Sequence, residues 1–332
     1  MRPAAGVLPV PSGRAGPCSR DRGAPCRRPG TGNRDFALRL DRGRTRNASG
    51  RLPAIRAFPN VRPRYFIAGL RAVLVSNVIH QTIRCRSALT PALQRNIENL
   101  KALNPGWEHR LYDDDDVRDC ILRACGRERL ALFDRIHDDY GAAKADIFRY
   151  VRLYESGGVY LDIKSTARRP LSEILEADDA FLLSTWDDAP GSRYHGWGHW
   201  PDHGIEREFQ QWHIVCAPRH PFLKAVIERV WHNLETYDPV RCGVGFTPTI
   251  VATGPIAYTR AIEEIRSRHP HRVVNAAALG LVYSIFDANE PGRDVPGSSV
   301  YRDSRQSLLR GLGSPAGIWL RTALSQTFSG FR

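Results

Sequence analysis

The chain has 332 residues, 42% hydrophobic and 25% charged, which are the proportions of a globular protein large enough to bury its own core. Its formal charge of +13 would suit a nucleic-acid binder. However, thirteen Arg against three Asp, with no Lys or Glu, put +10 of that charge into residues 1–60 and leave an ordinary +3 for the rest. Seven Cys, an odd number without C-x-x-C spacing, exclude a disulfide framework or a zinc site as the organising feature and point to a reducing compartment.

Residues 1–62 are rich in Arg, Pro, Gly and Ala, show no period, and are expected to form a disordered tail. The longest apolar stretch, 66–79, is interrupted by Arg71, Ser76 and Asn77 and falls short of the ~20 residues of a spanning helix. With no apolar signal core at the start, a cytoplasmic protein is expected, with at most peripheral membrane association through the Arg tail.

The folded region is expected over 63–290. Val78-Ile79-His80 reads as a first strand. Residues 91–103 read as a helix, with Thr90 as N-cap, Pro91 in the first turn and Leu93, Ile97 and Leu100 on one face; Asn104-Pro105-Gly106 stops it. Residues 107–112 read as a second strand. The acidic run Asp113 to Asp116 could hold a metal, but its place before a helix favours capping. Two helices follow, one containing Val117, Cys120, Ile121 and Ala124 and one over 129–136. Residues 140–155 form a strongly patterned helix closed by Gly157-Gly158, and 159–163 a short buried strand. Further strands are expected at 180–185 and 212–217, and helices at 221–234 and 255–268. The alternation implies an α/β fold with a largely parallel sheet. Residues 291–332 read as a poorly patterned extension.

The chemistry concentrates in two adjoining segments, Ala145-Asp146-Ile147-Phe148-Arg149-Tyr150 and Gly157-Gly158-Val159-Tyr160-Leu161-Asp162-Ile163-Lys164. On a helix Asp146 and Arg149 share a face and present an acceptor beside a forked donor, suited to a sugar hydroxyl and a phosphate oxygen. On the strand Val159, Leu161 and Ile163 point one way and Tyr160, Asp162 and Lys164 the other, at the carboxyl edge where open α/β sheets bind ligands. An intrahelical ion pair is the plainer account of Asp146 and Arg149, and a rim lysine that of Lys164. Tyr160 could stack on a base or sugar or merely line the strand, and His80 could sit near a nucleotide or be a hydrogen-bonded structural histidine. Residues 186–212 hold four Trp with His195, His199 and His203. Gly196, Gly198 and Pro201 preclude the helix that a zinc-binding spacing would need, so a loop over the site is expected, with Trp197, Trp200 and His203 on an acceptor side.

These blocks, together with Val78-Ile79-His80-Gln81-Thr82, Leu103-Asn104-Pro105-Gly106-Trp107, His220-Pro221-Phe222 and Thr253-Gly254-Pro255, resemble in order the DXD-containing glycosyltransferase sugar-binding-region family of mannosyltransferases and capsular-polysaccharide enzymes. The resemblance implies a GT-A-type, Rossmann-like mixed sheet flanked by helices, a nucleotide-diphosphate sugar donor, a glycan or lipid-linked acceptor, and transfer with retention. Donor binding is then expected of His80, Asp146, Arg149, Tyr160 and Asp162, with Asp162 and Lys164 as catalytic residues. One position departs: where the family has Asp-x-Asp, this chain reads Asp162-Ile163-Lys164. A lysine ammonium cannot ligate Mn²⁺ or Mg²⁺. Three readings stay open. Lys164 replaces the metal's charge, Asp162 holds a divalent cation with a ligand from elsewhere, or the site is degenerate and the protein only binds a nucleotide sugar or a partner.

Overall fold

The sheet is built outward from one strand whose side chains alternate between two cores. The computed structural model describes residues 74–286 and 300–312, all within one compact unit; the expected tail over 1–62 lies outside them. Strand β1 (Val78–Thr82) leads through a 3₁₀ turn to α1 (Pro91–Leu103), which Thr90 caps by accepting from the Leu93 amide. β2 (Glu108–Tyr112) then runs parallel to β1. Asp113 begins α2 (Asp114–Asp134) with a capping box: its carboxylate accepts from the Asp116 amide while Asp116 accepts from its own amide. The acidic run is thus a helix cap. α2 joins the two expected helices across a kink at Gly126, whose φ of 84° leaves the helical region.

α3 (Gly141–Ser156) and β3 (Gly158–Leu161) form the central unit, with β3 parallel to β1. Val159 and Leu161 pack into one core, with Leu171, Leu182 and Val215. Tyr160 faces the other, with Phe148, Phe181 and Ile214. The chain continues through β4 (Thr166–Ala167), α4 (Leu171–Ile174) and β5 (Phe181–Leu183) to β6 (His213–Cys216). α5 (Pro221–Glu235), α6 (Pro239–Cys242), α7 (Phe246–Ala252) and α8 (Pro255–Glu263) follow. β7 (Arg272–Val273), β8 (Leu281–Val282) and α9 (Val300–Asp303) complete the described elements. α8 is shorter than expected, its pattern continuing into a 3₁₀ turn at Arg266–Arg268.

The main sheet has six strands in the order β2-β1-β3-β6-β5-β7, and β4 and β8 form a separate antiparallel pair. The α/β architecture is as expected, and the sheet is mixed, as the family resemblance implies, where the alternation of elements alone suggested a largely parallel one. β6 runs antiparallel to both β3 and β5. Between β5 and β6 the described chain has no helix longer than a 3₁₀ turn. A return without a helical crossover favours antiparallel pairing.

The second departure is at the carboxyl-terminal side. Leu308 and Leu309, expected in a poorly patterned extension, are buried in the main core. Tyr140 Oη donates to the Gln306 carbonyl at 2.5 Å, and the Leu308 amide donates to Tyr237 Oη.

Two glycines set how closely α3 and β3 meet the rest. Gly157 has φ 62°, and a Cβ there would lie 2.6 Å from the Pro218 nitrogen. Gly158 has φ 103°, and a Cβ there would lie 2.6 Å from the Val78 carbonyl oxygen. Gly158→Ala should therefore lower stability by at least ~2 kcal/mol in urea unfolding. A change below ~0.5 kcal/mol would show that β1 can move away from this turn.

Candidate active site

α3 and the end of β3 place their polar groups around one buried guanidinium. Arg149 is 5% exposed and Asp146 3%. Arg149 Nη2 lies 3.3 Å from Asp146 Oδ1 and 3.1 Å from Asp162 Oδ1; Nη1 donates to the Gln211 carbonyl at 2.7 Å and Nε to the Ala145 carbonyl at 3.4 Å. The guanidinium carbon stands 4.6 Å from the centre of the Tyr160 ring. Burial alone would weaken its charge, but Tyr160, Asp162 and Asp146 outweigh that and hold it firmly protonated. Tyr160 Oη donates to Asp162 Oδ1 at 3.2 Å, and Thr253 Oγ1 donates to Asp146 Oδ2 at 3.0 Å. Burial pushes the Asp146 carboxyl up to about 7, with the Arg149 charge opposing.

Asp162 follows the last residue of β3, and a quarter of its side chain is exposed. Its amide donates to the Trp212 carbonyl and its own carbonyl accepts from Gln81 Nε2, so both flanking strands fix it. Lys164 is on the turn just beyond. Its ammonium donates to Tyr283 Oη at 3.2 Å and lies 4.3 Å from the ring centre of the same tyrosine.

Two cavities open from this cluster. The larger, about 460 Å³, is lined by Asp146, Arg149, Asp162, Gln211 and an aromatic wall of Trp186, Trp197, Trp200, Trp212 and Tyr283. The smaller, about 250 Å³, lies beyond β1 and is lined by Thr82, Arg84, Asp114, Lys144, Tyr160 and Lys164. Arg149, Asp162, Tyr283, Tyr301 and Arg302 border both. Residues 90–181 match the family described as the glycosyltransferase sugar-binding region containing the DXD motif.

An uncharacterized glycosyltransferase of Acanthamoeba polyphaga mimivirus is 32% identical over 103 residues, 31% of this chain and 40% of that one. The initiation-specific alpha-1,6-mannosyltransferase of Schizosaccharomyces pombe is 24% identical over 193 residues, 55% of this chain and 48% of that one. The chain thus spans less than half the length of these curated relatives. Among solved structures, the PaToxG glycosyltransferase has a TM-score of 0.40 at 13% identity, covering 58% of this chain and 71% of that one.

Of the residues singled out from sequence, Asp146, Arg149, Tyr160 and Asp162 come together, Lys164 borders the smaller cavity, and Trp197 and Trp200 line the larger. His80 is not brought to either cavity. It is fully buried, with Nε2 3.2 Å from the Gly157 carbonyl and Nδ1 3.0 Å from Tyr112 Oη. A carbonyl only accepts, so Nε2 carries the hydrogen and Nδ1 accepts from Tyr112. Burial and the Arg152 charge lower its pKa to about 3. It is a clamp between β1 and the α3–β3 turn. His203 sits on a 3₁₀ turn outside the cavity lining, where its carbonyl accepts from Arg260.

Sequence reasoning missed Glu208, Gln211, Tyr283, Tyr301 and Arg302. Thr253 is visible in the sequence only as part of a family block. Glu208 holds the aromatic loop: Oε1 accepts from Trp186 Nε1 at 2.6 Å and Oε2 from Trp200 Nε1 at 2.5 Å. Gly198 lets these groups close in, since a Cβ there would lie 2.6 Å from Trp186 and 2.7 Å from Glu208. The available signal was weak: a glutamate within a Trp-rich segment, two of whose indole N–H groups need acceptors if buried.

The residues do not fit a resident Mn²⁺ or Mg²⁺. Such ions take several oxygen ligands. The motif offers one carboxylate, Asp162, with Oδ1 already facing Arg149 and Tyr160 and an ammonium at the companion position. Among the described residues no group of three or more His, Cys, Asp or Glu converges elsewhere. Nor is any helix among them long and apolar enough to cross a membrane.

Two outcomes follow. Glu208→Ala, which strands two indole N–H groups, should cost about 2–4 kcal/mol in urea unfolding; a loss below ~0.5 kcal/mol would show that the indoles find other acceptors. Four histidines, His80, His109, His213 and His220, are lowered by burial from 6.5 to about 3, 4, 3 and 4. Their contribution to stability is complete above pH 6.5 and is lost as pH falls toward 4, because the unfolded chain takes up protons first. Asp146, raised to about 7, acts in the opposite sense: its contribution is greatest at low pH and lost as pH rises through 7. NMR titration of the folded protein should give none of the four imidazoles a midpoint above about pH 5. A midpoint near 6.5 for His80 would break the clamp assignment.

Proposed function

We propose that this chain moves a hexose from a nucleotide-diphosphate sugar to a hydroxyl acceptor, on a GT-A-type fold and with retention of anomeric configuration. The single observation that carries this reading is the position of Asp162, at the carboxyl edge of the parallel strands, held by Arg149 and Tyr160 and bordering two cavities of different character. The match of residues 90–181 and the mannosyltransferase relatives support the same class of chemistry.

The smaller cavity beyond β1, lined by both polar and aliphatic groups, suits the nucleoside, and the aromatic cavity suits the sugar and its acceptor. Indole and phenol faces take the apolar side of a pyranose, while Asp146, Gln211 and Asp162 are set to meet its hydroxyls. With the diphosphate between, Asp162 reaches the ribose or the transferred sugar. Lys164 stands where the family's second carboxylate would be and supplies positive charge to the departing diphosphate. The acceptor oxygen bonds to the anomeric carbon on the face the diphosphate leaves. The broken C–O bond leaves its electron pair on the phosphate oxygen, and the acceptor's proton passes to that departing phosphate. A glycan or lipid-linked acceptor in surface-polysaccharide or capsule assembly, in a cytoplasmic setting, fits this class. The Asp-Ile-Lys motif favours metal-independent donor binding over a divalent cation completed from elsewhere.

Calorimetry with uridine- and guanosine-diphosphate sugars, each with Mn²⁺ and with EDTA, tests the reading. Selective binding that survives EDTA is expected, and no binding in either condition would overturn the enzyme assignment. Asp162→Asn should reduce transfer by about a hundred-fold or more while leaving the melting temperature near that of the parent. Full activity in that variant would remove Asp162 from the site.

A further inference from the structure

Arg149 is the obvious arginine for a phosphate, but each of its three nitrogens already has an internal acceptor: Ala145, Gln211, and the Asp146 and Asp162 carboxylates. Its charge is matched by two carboxylates, and releasing the buried one, Asp146, would strand it in the interior. Lys164 is held against Tyr283 and borders only the smaller cavity, so it meets the diphosphate from one side. Near the smaller cavity Lys144 pairs with Asp138, and Arg84 borders that cavity but not the larger one. A diphosphate lodged between the cavities needs a cation that borders both and is not already matched by carboxylates.

Arg302 meets that requirement. It borders both cavities, like Asp162. Among the described residues it has no carboxylate partner. Its guanidinium carbon lies 5.0 Å from the centre of the Phe246 ring and 5.8 Å from that of Tyr301. Aromatic contact of this kind steadies the planar group and leaves N–H edges for an oxyanion fork.

The residue is also well anchored for so exposed a side chain. A Cβ on Gly245, at the start of α7, would meet the carbonyl oxygens of Arg302 and Ser304 at 3.1 and 3.2 Å, so the backbone of α9 is pressed against that glycine. Ser304 Oγ donates to Asp139 at 2.8 Å, and Leu308 and Leu309 bury the following turn in the main core.

We propose that Arg302, carried on α9, is the donor's diphosphate-binding arginine, bridging the two cavities from the carboxyl-terminal side. The inference rests on the glycosyltransferase reading above and deepens it. As the anomeric C–O bond breaks, its electron pair remains on the terminal phosphate oxygen, and the permanently protonated guanidinium stabilises that charge without a metal or a proton transfer of its own.

The test is calorimetric binding of UDP and GDP, and of UMP and GMP, in EDTA, to the full chain and to Arg302→Ala and Arg302→Lys. Arg302→Ala should weaken the preferred diphosphate roughly ten- to hundred-fold, the monophosphate less, with an unchanged melting temperature. Arg302→Lys should recover only part of the loss, since an ammonium lacks the fork. Diphosphate affinity within two-fold of the parent in both variants would overturn the role of Arg302 and leave the enzyme reading intact. An equal loss for mono- and diphosphate in both variants would overturn it too, by assigning Arg302 to the nucleoside. A parent chain that binds none of the four nucleotides would bring down the glycosyltransferase reading and this inference with it.

Discussion

A guanidinium with 5% of its residue exposed has to be surrounded by acceptors, and satisfying Arg149 arranges most of what lies around it. Its carboxylate partners come from its own helix and from the end of β3. A backbone carbonyl comes from the residue before Trp212, and a tyrosine face from the strand between. Three separate stretches of chain, α3, β3 with its end, and the segment before β6, therefore converge on one cation. Removing the charge would leave Asp146 and Asp162 facing each other in a poorly solvated interior, where like carboxylates repel. The geometry of Asp162 follows from a buried ion network, supported by Tyr160 and by backbone hydrogen bonds on both flanks.

How much of this was legible in sequence depends on how local each feature is. Thr90 as a cap, Pro91 in the first turn and the stop at Asn104 specify α1 within fifteen residues, and the helix has the expected bounds. The pair Asp146 and Arg149 is fixed by helical spacing, and the face that Tyr160 takes by strand alternation. A short chain of glycines then sets the approach of helix and strand. These are properties of a window, and a window was enough.

Features that depend on distant chain were not legible. The direction of β6 is decided by how the 184–212 excursion returns, and nothing in the strand's own composition records it. His80 belongs to the family's opening block, which suggested the nucleotide, but it is the middle residue of β1. Its actual partners, Tyr112 and Gly157, are 32 and 77 positions away. Glu208, Tyr283 and Arg302 acquire their roles only through contacts with the Trp loop, with Lys164 and with Phe246. The segment over 300–312 carries too few apolar residues to show a period, yet Leu308 and Leu309 complete the main core.

The aromatic wall has an optical side. Four of the chain's seven tryptophans, Trp186, Trp197, Trp200 and Trp212, line a single cavity, and two of them share the carboxylate of Glu208. Indole emission shifts with the polarity and motion of its surroundings, so the intrinsic fluorescence of this protein is weighted toward the compartment where a sugar would lie. Occupancy of that compartment can be followed in the unlabelled native chain, in real time, by a signal that the fold itself has concentrated there.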